Sequence, residues 1–113
     1  MTLAAWIADD AVFHSPVMHT PQQGKAKVMQ YLLAALQMFS RYDFTYRREI
    51  VDGPDAMLEF TVNMDGIHVN GADLLTFDAD GKISEFKVMA RPLQGIEKIR
   101  ETMLAQLGVV KED

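Results

Sequence analysis

Two periodicities divide this chain. Between residues 25 and 39, Val28, Leu32, Ala35, Leu36 and Phe39 recur at helical spacing, while Lys27, Gln30 and Gln37 lie off that stripe. The apolar face is wide, which predicts a helix lying flat on a sheet. Further along, the period drops to two. Leu58, Phe60, Val62 and Met64 alternate with Glu59, Thr61 and Asn63, the pattern of a strand with one buried face. Four strands are predicted over 43–51, 56–65, 67–77 and 82–91. The turn sequences Asp52-Gly53-Pro54-Asp55, Asp65-Gly66 and Asp78-Ala79-Asp80-Gly81 separate them. Connections this short join antiparallel neighbours. With Asp65-Gly66 already reversing the chain, Asn70-Gly71 reads as a bulge that curves a long strand.

The ends are less regular. Residues 2–8 read as a short helix, 11–14 as a short strand closed by Ser15-Pro16, and 17–24 as a loop. A last helix starts near Pro92 or Leu93, with a stripe of Ile96, Ile99, Met103 and Leu107. Gly108 is its stop, and 109–113 reads as a frayed tail.

Composition narrows the possibilities. A chain of 113 residues fits a single domain, 1–113, and 49% apolar content suffices for a core. The net charge is −5 with scattered Lys and Arg, which argues against nucleic-acid and membrane partners. There are no cysteines, hence no disulfide framework or thiolate metal site. No apolar run has the length of a membrane span and the N-terminus lacks a signal peptide's basic region, so a soluble cytoplasmic protein is expected.

The segment Ala8-Asp9-Asp10-Ala11-Val12-Phe13-His14-Ser15-Pro16, followed by Gly24 opening a helix, resembles the opening of SnoaL-like domains. Gly71-Ala72-Asp73-Leu74-Leu75-Thr76-Phe77-Asp78-Ala79-Asp80-Gly81-Lys82-Ile83 is similar to the same family's hairpin ending in DGKI. The resemblance, to the nuclear-transport-factor-2-like (NTF2-like) superfamily, spans about Trp6 to Pro92. It implies an α+β fold in which a curved antiparallel sheet wraps around helices as a cone with an apolar pocket, the cystatin-like α+β barrel. It also implies a homodimer through the convex sheet face. Family activities range from isomerases, cyclases, dehydratases and hydrolases to proteins that only bind, so fold does not supply function. Family members carry a longer first helix than the short one expected here. That leaves a more open pocket, a covering partner element, or a natural start further upstream.

Asp73 stands out among the polar residues. Alternation puts it on one face with Leu75 and Phe77, where desolvation would raise its pKa and make it a hydrogen-bond donor or general acid/base. The other reading is a bulge aspartate satisfied by backbone N–H groups. The resemblance aligns Asp73 with the strand aspartate that ketosteroid isomerases use on a developing oxyanion. It does not extend to their base: Ser15 stands before Pro16 where those enzymes have aspartate. Their oxyanion tyrosine comes from the first helix, which is nearly missing here. Steroid isomerisation is therefore not expected.

His14 is the candidate partner of Asp73 as base or water-positioning group. Against this, alternation sets His14 on the face opposite Phe13 and Ser15, and a structural histidine is the competing reading. The expected pocket comprises Trp6, Phe13, Ser15, Tyr31, Leu58, Phe60, Val62, Leu75, Phe86, Val88 and Ala90, each of which also reads as core. Glu59, Glu85 and Lys87 have the opposite parity and are assigned to the convex face. Arg91 is expected at the cone rim. No cofactor or metal is expected: His14, His19 and His68 lack ligand spacing, and Asp78-Ala79-Asp80-Gly81 has Lys87 where a calcium loop needs glutamate. The ligand expected is a small apolar molecule, with acid/base chemistry, simple binding, or a non-catalytic dimeric protein-interaction scaffold left open.

Overall fold

A computed structural model describes residues 3–107. Its elements are a 3₁₀ turn Leu3–Trp6, β1 Ile7–His14, β2 Gln22–Gln23, α1 Lys25–Phe39, β3 Asp43–Asp52, β4 Asp55–Met64, β5 Ile67–Phe77, β6 Ile83–Arg91 and α2 Leu93–Leu107. The strands form one six-stranded sheet in the order β2-β1-β6-β5-β4-β3. The sheet is curved and unclosed, and with its two helices gives the expected α+β, NTF2-like architecture. Strands β3 to β6 make the antiparallel meander, and β1 runs parallel beside β6.

The turns explain the meander. Asp65 and Gly66 both adopt positive φ, and Asn63 Oδ1 accepts the Gly66 N–H at 2.7 Å. Asp78 Oδ1 accepts the N–H groups of Asp80 and Lys82 at 2.9 and 3.0 Å. This segment is therefore a hairpin turn organised by one aspartate. At the start of α1, Gly24 donates its N–H to the Ala11 carbonyl at 2.8 Å, and its own carbonyl accepts from Val28 at 3.0 Å. The helix is thus tied to β1 at its first turn.

Several expectations need correction. The helix expected over 2–8 is only the 3₁₀ turn, and Ile7 already belongs to β1. Ile7 pairs with Ile83 and Val12 with Glu85, so β1 bulges strongly between them. This lets Ile7 and Ala8 both be buried along with Ala11 and Phe13, which breaks simple alternation. The loop expected over 17–24 contains β2, paired with β1. Along α1 the buried residues are Val28, Leu32, Ala34 and Met38, whereas Leu36 is 60% exposed. The expected stop at Gly108 and the tail lie outside the described residues, as does Thr2.

No bulge occurs at Asn70-Gly71. β5 keeps one regular register with β4 from end to end. The sheet irregularities fall instead at β1, between Tyr46 and Arg48 on β3, and between Thr76 and Phe77 on the β5–β6 pair. Gly71 has a different role. A Cβ there would lie 2.3 Å from the Phe60 ring and 2.8 Å from the Met89 carbonyl oxygen. The missing side chain lets the Phe60 ring lie down on β5.

Two core clusters lie on the inner face. One groups Ile7, Ala11, Phe13, Val28, Leu32 and Ile83, among others; the second groups Met38, Phe60, Val62, Met64, Val69 and Ile99. Val88 packs against both.

Gly71→Ala is expected to destabilise the fold by about 1–3 kcal/mol, because a buried ring and a main-chain oxygen both stand in the way. Urea unfolding of the variant against the parent measures this. An unchanged midpoint would show that Phe60 does not depend on the close approach.

Candidate functional site

The two core clusters do not meet everywhere. Between them a cavity of about 370 Å³ opens toward the concave side. It is lined by Leu3 from the 3₁₀ turn, by Phe13, Phe44, Tyr46, Phe60, Asp73, Ile83, Phe86 and Val88 from the sheet, and by Leu32, Ala35, Leu36, Phe39 and Ser40 from α1 and its cap. Leu36 is exposed because it borders this opening.

Rows across the sheet explain the placement. Glu49, Leu58, Asp73 and Val88 are in register across β3 to β6. The adjacent inner row is Tyr46, Phe60, Gly71 and Ala90; on the other side lie Val51, Ala56, Leu75 and Phe86. Asp73 thus stands between Leu58 and Val88 in its row, with an aromatic residue in the row on each side. It is 7% exposed and is the one buried charged or polar residue among those described.

Burial pushes the Asp73 carboxyl from 3.8 up to about 7, and hydrogen bonding from the neighbouring Tyr46 phenol draws it back only in part. The phenol is itself pushed upward, by burial first and by the Asp73 charge second. The two groups form one polar spot in an otherwise greasy wall. The rings form two groups. Phe44 lies 4.9 Å from Phe60, 5.0 Å from Phe39 and 5.0 Å from Tyr46 (ring centroids), and Phe13 lies 5.9 Å from Phe86.

Of the residues expected in the pocket, Phe13, Phe60, Phe86, Val88 and Asp73 line the cavity. The others do not. Trp6 is 49% exposed and belongs to the 3₁₀ turn rather than to the cone. Tyr31 stacks on the back of Phe13 at 5.7 Å. Leu58 and Leu75 pack in the first core cluster, and Val62 and Ala90 in the second. Ser15 Oγ accepts the Val17 N–H at 3.1 Å, so it holds a local turn.

His14 is not brought to Asp73. Register pairs it with Lys87 while Phe13 pairs with Phe86, so His14 is on the outer face. There its Nε2 lies 2.9 Å from Glu85 Oε2. The parity of β1 at its end is the physical reason.

Tyr46 was not among the expected residues. Its signal, the alternation of Phe44 and Tyr46, is cut off by the bulge that follows. Arg47 is the extra residue there, and its Nε donates to Thr61 Oγ1 at 2.8 Å. Phe39 and Leu36 were legible as helix stripe but not as cavity wall. A shallower groove of about 330 Å³ crosses the outer face between Arg48, Met57, Glu59, Met89 and Arg91, with Gly71, Ala72 and Ala90 as its small residues. Among the described residues, no three His, Cys, Asp or Glu side chains group so as to hold a metal ion. No helix there is long and apolar enough to cross a membrane.

A family model described as a SnoaL-like domain matches residues 2–86. The chain is similar to the crystal structure of a steroid delta-isomerase from Pseudomonas aeruginosa, with TM-score 0.88 and 36% identity over 94% of this chain and 77% of that one. It is also similar to an uncharacterised bacterial protein with a cystatin-like fold from Silicibacter pomeroyi, with TM-score 0.83 and 30% identity over 92% of this chain and 72% of that one. An NTF2-like protein of unknown function from Mesorhizobium loti shares the fold, with TM-score 0.70 and 24% identity over 80% and 76% of the two chains. No curated protein matches.

The position of Asp73 makes a stability prediction. Its folded pKa lies above the unfolded value near 4, so the native state holds the proton longer. Its stabilising contribution is complete below about pH 4 and is lost as pH rises through about 7. The full gap corresponds to on the order of 4 kcal/mol. Asp73→Asn should therefore match the parent near pH 4 and be the more stable protein at pH 8, by thermal melts across that range. A parent that gains stability over the variant with rising pH would mean a well-partnered carboxylate.

Proposed function

Because this chain belongs to the SnoaL-like domain family, we propose that its concave cavity binds a small, mostly apolar molecule through one polar anchor, Asp73 with Tyr46 beside it. The observation that carries this reading is a single buried carboxyl facing an aromatic-lined space. Polar groups are not buried without a partner unless something is gained, because desolvation costs free energy. A cavity of about 370 Å³ is at the small end of ligand pockets, which run from about 300 to 1,000 Å³. The Asp73–Tyr46 pair would fix the orientation of a molecule whose remaining surface is met by rings and aliphatic side chains.

A catalytic role is the second reading, and one observation favours it. A carboxyl near pH 7 is matched to proton transfer at neutral pH. Such a site would run general-acid chemistry: isomerisation, dehydration or hydrolysis. A steroid double-bond shift is not part of the proposal. It needs a base to take a carbon-bound proton, and Ser15, at the base's position, is hydrogen-bonded to its own turn. His14 is engaged with Glu85 on the other face.

The same proposal includes a cytoplasmic homodimer joined through the outer sheet face. Supporting it, Met89 and Ile50 are 55% and 49% exposed there, flanked by the Arg48–Glu59 pair at 3.2 Å. Alternating apolar and paired-charge positions suit a self-complementary interface. Light scattering should give twice the chain mass for the parent and the chain mass for Met89→Glu. A monomeric parent would remove this part of the proposal.

The binding reading is tested with neutral aromatic fragments, such as phenols and aryl ketones, followed by methyl NMR. Shifts are expected at Leu32, Leu36, Ile83 and Val88, and weaker binding in Asp73→Asn. Shifts confined to outer-face methyls such as Ile50 and Leu74, or none, would refute it.

A further inference from the structure

We infer that the cavity selects an organic cation, a protonated amine or quaternary ammonium on a compact apolar body, with Asp73 as its counter-ion. The inference rests on the reading of the cavity as a small-molecule site and names the charge of the molecule it takes.

Three features of the lining point the same way. First, among the described residues the ionisable groups of the wall are one acid and one phenol, with no Lys, Arg or His. An anionic ligand would find no counter-charge there. Second, rings surround the acid. Phe60 and Phe86 occupy the rows on either side of Asp73, and Phe39, Phe44 and Tyr46 extend the first of these groups. Ring faces carry negative quadrupole potential and attract cations, most strongly where water is excluded. Third, the Tyr46 phenol stands in the row beside Asp73, and its hydrogen bonding favours the ionised form of the carboxyl. The pair is therefore better built to accept a positive group than to donate two hydrogen bonds to a neutral oxygen.

Without a ligand, the ionised carboxylate is poorly compensated in this wall. A cation brought in on an apolar body supplies the missing charge while its body covers the rings. Among the described residues, the titratable groups that face Asp73 are Tyr46 and, at the end of its row, the exposed Glu49, both from β3. The cavity-lining residues of β4, β6, α1 and the 3₁₀ turn are apolar or, for Ser40, uncharged. The protein's net charge of −5 adds a long-range bias in the same direction.

The test uses an isosteric pair, phenyltrimethylammonium and tert-butylbenzene, titrated into the full chain at pH 5.5 and 8.5 by methyl NMR. The ammonium charge is permanent, so any pH dependence belongs to the protein. The cation should bind about tenfold or more tighter than the neutral isostere at pH 8.5, and the preference should shrink at pH 5.5 as Asp73 takes up its proton. In Asp73→Asn the two compounds should bind alike at both pH values. Equal binding by the parent at pH 8.5, or a preference that survives in Asp73→Asn, would overturn the inference. Binding of tert-butylbenzene alone would overturn it and leave the cavity reading intact. If neither compound moves the cavity methyls, both readings fall.

Discussion

The parallel pairing of β1 with β6 is the contact on which the rest of this structure depends. It seats the N-terminal segment beside the meander and brings Phe13 level with Phe86. Through the Gly24–Ala11 hydrogen bond it also fixes where α1 begins. From that start the helix runs over the concave side and reaches Phe39 and Ser40 at the far rim. Antiparallel hairpins alone would make a curved sheet with one bare apolar face. The β1–β6 pairing determines which part of that face is covered and which part remains as the cavity.

Much of the fold could be read in the chain because its signals are local. Asp65-Gly66 and Asp78-Ala79-Asp80-Gly81 reverse the backbone by their own chemistry, and alternation then assigns faces without reference to distant residues. Asp73 is legible this way: the parity of β5 is unbroken from Ile67 to Thr76. The misses share a different cause. β1 carries an irregularity between Ile7 and Val12 that no dipeptide announces, so its first residues, Ile7 and Ala8, read as the end of a helix. At Arg47 the extra residue ends the alternation just after Tyr46, and the tyrosine was overlooked. For His14 the alternation that sets it opposite Phe13 and Ser15 is the signal that decides its place, and Trp6 is held in the short 3₁₀ turn, outside the cone.

Asp73 and Gly71 show two ways in which one strand can serve both packing and a site. Gly71 gives up a side chain so that Phe60 can lie flat, which completes the second core cluster and gives the cavity one of its ring surfaces. Asp73, two residues on, gives up solvation. A leucine there would extend the first cluster, as Leu75 does. The residue types therefore run against packing logic at one position of the row only, and sites are where such departures from consistent burial are found.

The extra residue at Arg47 also matters for a strand that ends the sheet. β3 has no neighbour beyond it in the strand order, so one row of its main-chain groups lies open to pairing with another molecule. Arg47, Arg48 and Glu49 place three charges in succession at the point where the ladder is interrupted. A charged, kinked margin is a poor template for strand addition between molecules, even though β3 also carries the exposed Ile50 and Val51. The irregularity that follows Tyr46 at the rim of the cavity thus also guards the protein's colloidal behaviour.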